Sequence, residues 1–470
     1  MEFYIVLGVA TLLIGVLTLL ILLKTKTIAF AMGAAFLYYW TLFGAFSVLQ
    51  QKFGESQERP FDYLFYKMFP VYLDSDYFWA LVLYSIFLLT VLATVLHFVQ
   101  RPRENKDLLA RPIRISHATI ILISSTAAVL SYLLIKDQLD LAAEMNTNLH
   151  FLNPEMGRFY TLHQVFDRIA LIPLSLGLAV FLSGKSAKYA VGRRSGLLLA
   201  GYICAFVGVF VLNMLSGSRN NLLFAGVSAM LFYLANTVKP KKLVLAFGCV
   251  LVLLMLMFIS ILRDSYKSKE IANLDWPDKI KYAVSDLFAR QAESFAAHFS
   301  MYGALHKHVP FTYGSSFLWL ATAIVPSTIA QVRPMTIYDY YADAVGAAQG
   351  QGFNVHHATG WYLNFGVPGL IAGGCLLGWI WAKLFNMVFQ YGGRSHLGRV
   401  FAAFAFWSFT GYIPLLVRGG PEGYKSAIVE GLLVPTLIMA IASLRLVRRS
   451  NRPVLIPNDA MRGPFSRQPA

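Results

Sequence analysis

Five arginines at or near the ends of apolar runs set the chemistry to consider first: Arg219, Arg263, Arg290, Arg333 and Arg418. A guanidinium offers a planar fork of N–H donors that grips phosphate oxygens bidentately and stays charged at any physiological pH. Grouped around a membrane-embedded cavity, such residues suit a phosphate or diphosphate with no metal ion. Arg219 sits in Ser216-Gly-Ser-Arg-Asn220-Asn221, a short segment between two apolar runs, where free N–H groups at a helix start add to its attraction for an anion. The plainer alternative is a side chain that only snorkels to lipid headgroups.

Proton transfer needs another kind of group. The pair His356-His357 precedes an apolar run, and an imidazole with a pKa near ~6.5 can take a proton from a hydroxyl. Glu293, three residues after Arg290, is the acidic candidate; Asp286, Arg290 and Glu293 fall at helical spacing, so the cation stands between two carboxylates. Asp74-Ser-Asp76 could bind a metal, although an Asp at a helix start reads more simply as an N-cap. Glu430 is read as the single charge within an apolar span, near Arg418 and Lys425, either functional or one half of a structural ion pair. No His-Glu-x-x-His spacing occurs, and no metal or other cofactor is expected.

The elements that must position these groups are membrane helices. Of 470 residues, 57% are hydrophobic and only 14% charged, which excludes a disordered chain or a string of soluble domains. Cys204, Cys249 and Cys375 all lie inside apolar runs, so no disulfide framework is expected. Apolar stretches long enough to cross a ~30 Å hydrocarbon core lie near 3–23, 28–49, 77–99, 116–135, 164–183, 196–215, 222–236 (short), 243–262, 360–382, 400–417 and 426–444. The first has no basic leader before it and no small-residue cleavage site, and reads as a retained anchor.

Charge tests this count of eleven. Loops after the odd-numbered spans through the ninth, with the C-terminal tail, hold 23 Lys and Arg against 3 acids, whereas the opposite side holds 17 against 20. Cations gather on the cytoplasmic side, so the N-terminus is expected outside and the C-terminus inside. The net charge of +16 then belongs to cytoplasmic loops, and no nucleic-acid partner is expected.

The expected organisation is helices 1–8 over 1–262, a large outer loop over 263–359, helices 9–11 over 360–446, and a basic tail over 447–470. Within the loop, Asp275-Trp-Pro-Asp278 reads as a helix start, followed by apolar residues at helical spacing from Ile280 to Tyr302. Phe317 to Ala330, broken by Pro326, reads as re-entrant or interfacial. Gln331 to Gly352, with Tyr338, Tyr340, Tyr341 and three glycines, reads as a mobile loop or lid whose tyrosines could stack on sugars.

Several segments together resemble the Wzy-type oligosaccharide repeat-unit polymerases of bacterial envelopes and, more distantly, the O-antigen ligases. They are Leu215-Ser-Gly-Ser-Arg-Asn-Asn-Leu-Leu223, Arg290-Gln-Ala-Glu293, Tyr313-Gly-Ser-Ser-Phe317 through Ile324-Val-Pro326 to Arg333-Pro334, Tyr362-Leu-Asn-Phe-Gly-Val-Pro-Gly369 and Arg418-Gly-Gly420. The resemblance covers roughly residues 210 to 430. It implies an all-α, GT-C-like polytopic fold in the bacterial inner membrane, joining undecaprenyl-diphosphate-linked oligosaccharides at the periplasmic face without a metal. Arg219 and Arg290 would hold the diphosphate, with Asn220, Arg263, Arg333, Arg418 and Tyr341 also lining the substrate. His356 or His357 falls where the ligases carry a histidine, whereas the Glu that many polymerases place near this segment is replaced by Thr359-Gly360. A chain-length regulator and a flippase are the implied protein partners, with membrane lipid around the site. A ligase using the same donor site is the nearest alternative. A lipid-linked glycan flippase is the rival from another class, and it requires polar residues at mid-membrane depth, of which nearly none are expected here.

Overall fold

The structure is a computed structural model that describes residues 1–46, 73–101, 115–144, 158–183, 194–216, 220–237, 273–281, 292–322, 334–346, 354–390 and 396–450, with isolated positions at 49, 250, 254, 257, 258 and 261. Among them all regular structure is helical. The elements are α1 (Glu2–Thr25), α2 (Ile28–Tyr38) running into a π-helical turn π1 (Tyr39–Phe43), α3 (Ser75–Phe98), α4 (His117–Glu144), α5 (Arg158–Leu182), α6 (Arg194–Ser216) and α7 (Asn220–Asn236). After these come α8 (Ala292–His306), α9 (Ser315–Thr322), α10 (Ile337–Val345), α11 (His357–Gln390), α12 (His396–Arg418), π2 (Lys425–Leu433) and α13 (Val434–Ser450).

Nine helical segments among the described residues are long and apolar enough to cross a membrane, and the short apolar helix α7 matches the expected short span. The chain is therefore a polytopic helical membrane protein. The expected span 243–262 lies almost entirely outside the described residues. Large apolar side chains along α1, such as Leu12, Leu19 and Leu23, are exposed, as lipid-facing residues must be.

Local signals explain where helices begin. Asp74 accepts the Tyr77 N–H at 2.9 Å and caps α3, and the Thr27 side chain accepts from Ala29 at the start of α2. Packing is close where residues are small. A Cβ on Gly378 of α11 would collide with the Val91 carbonyl of α3, and one on Gly411 of α12 with Ser228 of α7. Phe30, Trp381, Phe385 and Phe406 form an aromatic core joining α2, α11 and α12, with ring centroids 4.8 to 5.4 Å apart around Phe30.

α11 is broken near its start. Phe365 and Gly366 leave the helical region, Gly366 with φ 64° and ψ −152°, a conformation that only glycine adopts without strain. The interruption frees backbone groups that lipid could not satisfy. Thr312 N–H therefore donates to Leu363 O at 2.8 Å, and Asn364 Nδ2 donates to Gly360 O at 2.7 Å.

The segment expected as a loop over 331–352 contains α10. Thr336 Oγ1 accepts the Asp339 N–H at 2.9 Å and donates to the Asp339 carboxylate at 2.7 Å, and Gly346 ends the helix with φ 75°. A reciprocal cap and a left-handed glycine thus outweigh the loop-like composition.

Candidate functional site

Three polar clusters gather at one end of the bundle, where α3 and α11 begin and α12 ends. The two π-helical turns each deliver a polar side chain to one of them, a placement common for such turns at functional sites.

The first cluster surrounds His356, His357 and His298, all buried. His356 Nδ1 accepts the Ala358 N–H at 3.0 Å, so Nε2 carries the proton and donates it to Thr41 Oγ1 of π1 at 3.0 Å. His298 Nδ1 donates to the Thr41 carbonyl at 2.7 Å, leaving Nε2 to accept the Tyr77 hydroxyl at 3.0 Å. His357 Nδ1 donates to Gly420 O at 2.8 Å, and its Nε2 accepts Trp361 Nε1–H at 3.0 Å and the Tyr424 hydroxyl at 3.2 Å. Ser300, Thr359 and Tyr84 close the network: the Tyr84 hydroxyl donates to His298 O at 2.7 Å, and the His356 N–H donates to Ser300 Oγ at 3.0 Å. Burial holds the His298 imidazole down at about 4, and it holds His356 well below its usual value, aided by the two neighbouring histidines. These rings are neutral, with both nitrogens engaged. His356 and His357, expected as candidate bases, are thus locked into the protein interior.

A second cluster lies between α5, α6, α7 and π2. Arg168 forms an ion pair with Glu430, both nearly inaccessible, and Lys425 Nζ lies 3.9 Å from the other carboxylate oxygen. Arg168 Nε also donates to Asn221 Oδ1 at 3.3 Å. Asp167 accepts from Asn213 Nδ2 at 2.8 Å and from Asn221 Nδ2 at 2.7 Å. Removing an ion from water costs several kcal/mol, which pairing and amide donors must offset. Glu430, expected as the single charge within an apolar span, is not alone: the run expected at 164–183 also contains Asp167 and Arg168, and the structure buries all three among helices.

The third cluster is the turn after α12. Arg418 heads it, half-buried, and Gly420 turns the chain with φ 63°. Glu422 Oε1 accepts the Ile337 N–H at the start of α10. Burial and the nearby Asp339 push the Glu422 carboxyl up to about 8, against the pull of the Ile337 N–H. Tyr341 of α10, expected as a lid residue open to substrate, is fully buried, its hydroxyl set against Gly303 of α8.

Nearby, His306 Nδ1 stands 3.1 Å from Asp76 Oδ2 and 3.6 Å from Asp74 Oδ2, and the Tyr302 hydroxyl donates to Asp74 Oδ2 at 3.2 Å. Three ligand atoms within 4.8 Å have the types and spacing to hold a divalent cation. The cap expected of Asp74 is present as well. Arg219, Arg263, Arg290 and Arg333 lie outside the described residues, as do the side chains of Asn220 and Glu293, although these two open α7 and α8.

No protein-family model, curated protein or solved structure matches this chain.

Proposed function

We propose that this protein is an inner-membrane glycosyltransferase that polymerises undecaprenyl-diphosphate-linked oligosaccharide units at its outer face, with arginines rather than a metal holding the diphosphate. One observation carries the reading. The buried Arg168–Glu430 pair, with the half-buried Lys425 at its edge, is hydrogen-bonded through Arg168 to Asn221, within the Leu215–Leu223 segment that bears the resemblance. A charge-balanced ionic framework, Arg168 and Lys425 against Glu430 and Asp167, therefore holds the segment assigned to the donor from behind. A sugar diphosphate has a good leaving group, so the enzyme must stabilise departing negative charge and remove one proton from an acceptor hydroxyl. Guanidinium groups meet the first need.

A second reading gains from the same cluster. Asp167, Arg168 and Glu430 are charges inside membrane helices, five or six residues from the starts of the spans Leu162–Leu182 and Lys425–Leu444, and mark the mouth of the polar path that a lipid-linked glycan transporter requires. One experiment separates the two: incubate the purified protein with a defined undecaprenyl-diphosphate oligosaccharide in vesicles. Ladders of longer chains support polymerisation, transfer to a different acceptor supports the ligase alternative, and movement between leaflets without chemistry supports transport. Arg219→Ala and Arg290→Ala should each abolish long chains at normal protein levels, and unchanged ladders would remove these residues from the donor site.

A further inference from the structure

Resting on that reading, the proton acceptor is still to be found. The histidines of the first cluster would each have to break a buried hydrogen bond to serve, and each is enclosed by protein. The turn between α12 and π2 offers a different group. Glu422 is half-buried, with Oε1 engaged by the Ile337 N–H, while Oε2 has no hydrogen-bond partner among the described residues. Its position is fixed from both sides, because α10 is anchored on Oε1 and the Gly420 carbonyl of the same turn accepts from His357. Arg418, at the head of that turn, belongs to the arginines assigned to the donor.

We propose that Glu422 takes the proton of the acceptor hydroxyl during glycosyl transfer. The acceptor oxygen forms the new bond to the anomeric carbon. The bond from that carbon to the diphosphate oxygen breaks, and its electron pair leaves with the lipid diphosphate. The hydroxyl proton passes to Glu422 Oε2 and then to water. A base works best when its pKa lies near the working pH, and Glu422 titrates at about 8. The charged group set against it from α10 is Asp339; on its own turn the charges are Arg418 and Lys425.

The test uses the full-length protein in nanodiscs with the lipid-linked oligosaccharide, following initial rates from pH 5.5 to 9.5. The wild-type rate should climb tenfold per pH unit and level off near 8. Glu422→Gln keeps an oxygen for the Ile337 N–H, so the fold is expected to survive. It should lose the rising limb and at least about 100-fold in kcat, with KM for the donor changed less than about threefold, as befits the removal of a proton-transfer group. A purely structural anchor would leave the pH profile unmoved. A wild-type profile without a break near 8, or a Glu422→Gln profile that retains the limb, overturns the assignment even where that variant is unstable, because the first readout needs no variant. Ladders formed by wild type with an unaltered Glu422→Gln profile sink Glu422 alone; no elongation by wild type sinks the glycosyltransferase reading and the assignment with it.

Discussion

The guanidinium of Arg168 on α5 and the carboxylate of Glu430 on π2 form an ion pair that leaves each side chain less than a tenth exposed. Breaking such a pair on one side strands a buried charge, at about 3 to 5 kcal/mol, whereas replacing both partners by apolar groups of similar volume is often close to neutral. Arg168→Met and Glu430→Leu are each expected to destabilise by that amount in detergent unfolding. The double variant should lose less than either alone. A double loss equal to the sum of the singles would show that the pair has no coupling energy.

The buried histidines give stability a pH dependence of definite sign. His298 has a folded pKa of about 4, below its unfolded value near ~6.5. Between those values the unfolded chain binds a proton that the folded one excludes, so stability is complete above about 6.5 and declines as pH falls toward 4. His356 acts in the same direction. The melting temperature of wild type should therefore drop over this window, and His298→Gln should flatten the slope. An equally steep slope in the variant would mean that the imidazole titrates freely in the fold.

Glu422 works in the opposite sense. Its folded pKa of about 8 exceeds the ordinary carboxyl value of 4.5, so the folded protein retains a proton that the unfolded chain has lost. That contribution is complete below about 4.5 and disappears as pH rises through 8. Glu422→Gln should remove a stability decline between about pH 4.5 and 8 and leave the acid-side decline of the histidines unopposed. Parallel curves for wild type and variant would contradict the raised pKa.

How much of this was legible follows from how local each feature is. The spans and the Asp74 cap rest on runs and neighbours within a few residues, and the sequence displays both. The pairing of Arg168 with Glu430 is tertiary: the Asp167-Arg168 dipeptide stands inside the run expected at 164–183, but nothing local in the chain names Glu430 or Asn221 as its partner. α10 had a local signal that composition obscured, since Thr336, Asp339 and Gly346 stand at the spacing of a reciprocal cap and a helix end. The histidines divide. Trp361 is one helical turn from His357 and could be paired with it by spacing, but no pattern announces that Thr41 or Gly420 will occupy the remaining nitrogens.

His306 clasps the ends of α3 and α8, with its side chain and those of Asp74 and Asp76 about a third exposed. Exposed pairs contribute little, ~0.2 to 1 kcal/mol. His306→Gln should therefore cost under about 1 kcal/mol, while Asp74→Ala also forfeits the Tyr77 N–H cap and should cost about 1 kcal/mol more. Equal losses, measured by thermal unfolding, would mean that the cap contributes nothing.

The break in α11 makes the sharpest backbone demand. Gly366 has φ 64° and ψ −152°, a region essentially closed to residues with a Cβ, and holding one there costs on the order of 1 to 3 kcal/mol. Space is not the obstacle, since a Cβ there would meet Phe311 at an ordinary 3.6 Å. Gly366→Ala should therefore destabilise by about that amount through strain alone. Asn364→Ala acts differently, because it removes the acceptor of Thr312 and Ser316 and the donor to Gly360 O. If the break serves to fasten α9 and the 309–314 segment onto α11, Asn364→Ala should speed proteolysis between residues 309 and 322, whereas Gly366→Ala should lower the melting temperature by a similar or larger amount with less local cleavage. Cleavage rising equally in both variants would show that the break and the fastening are one cooperative unit.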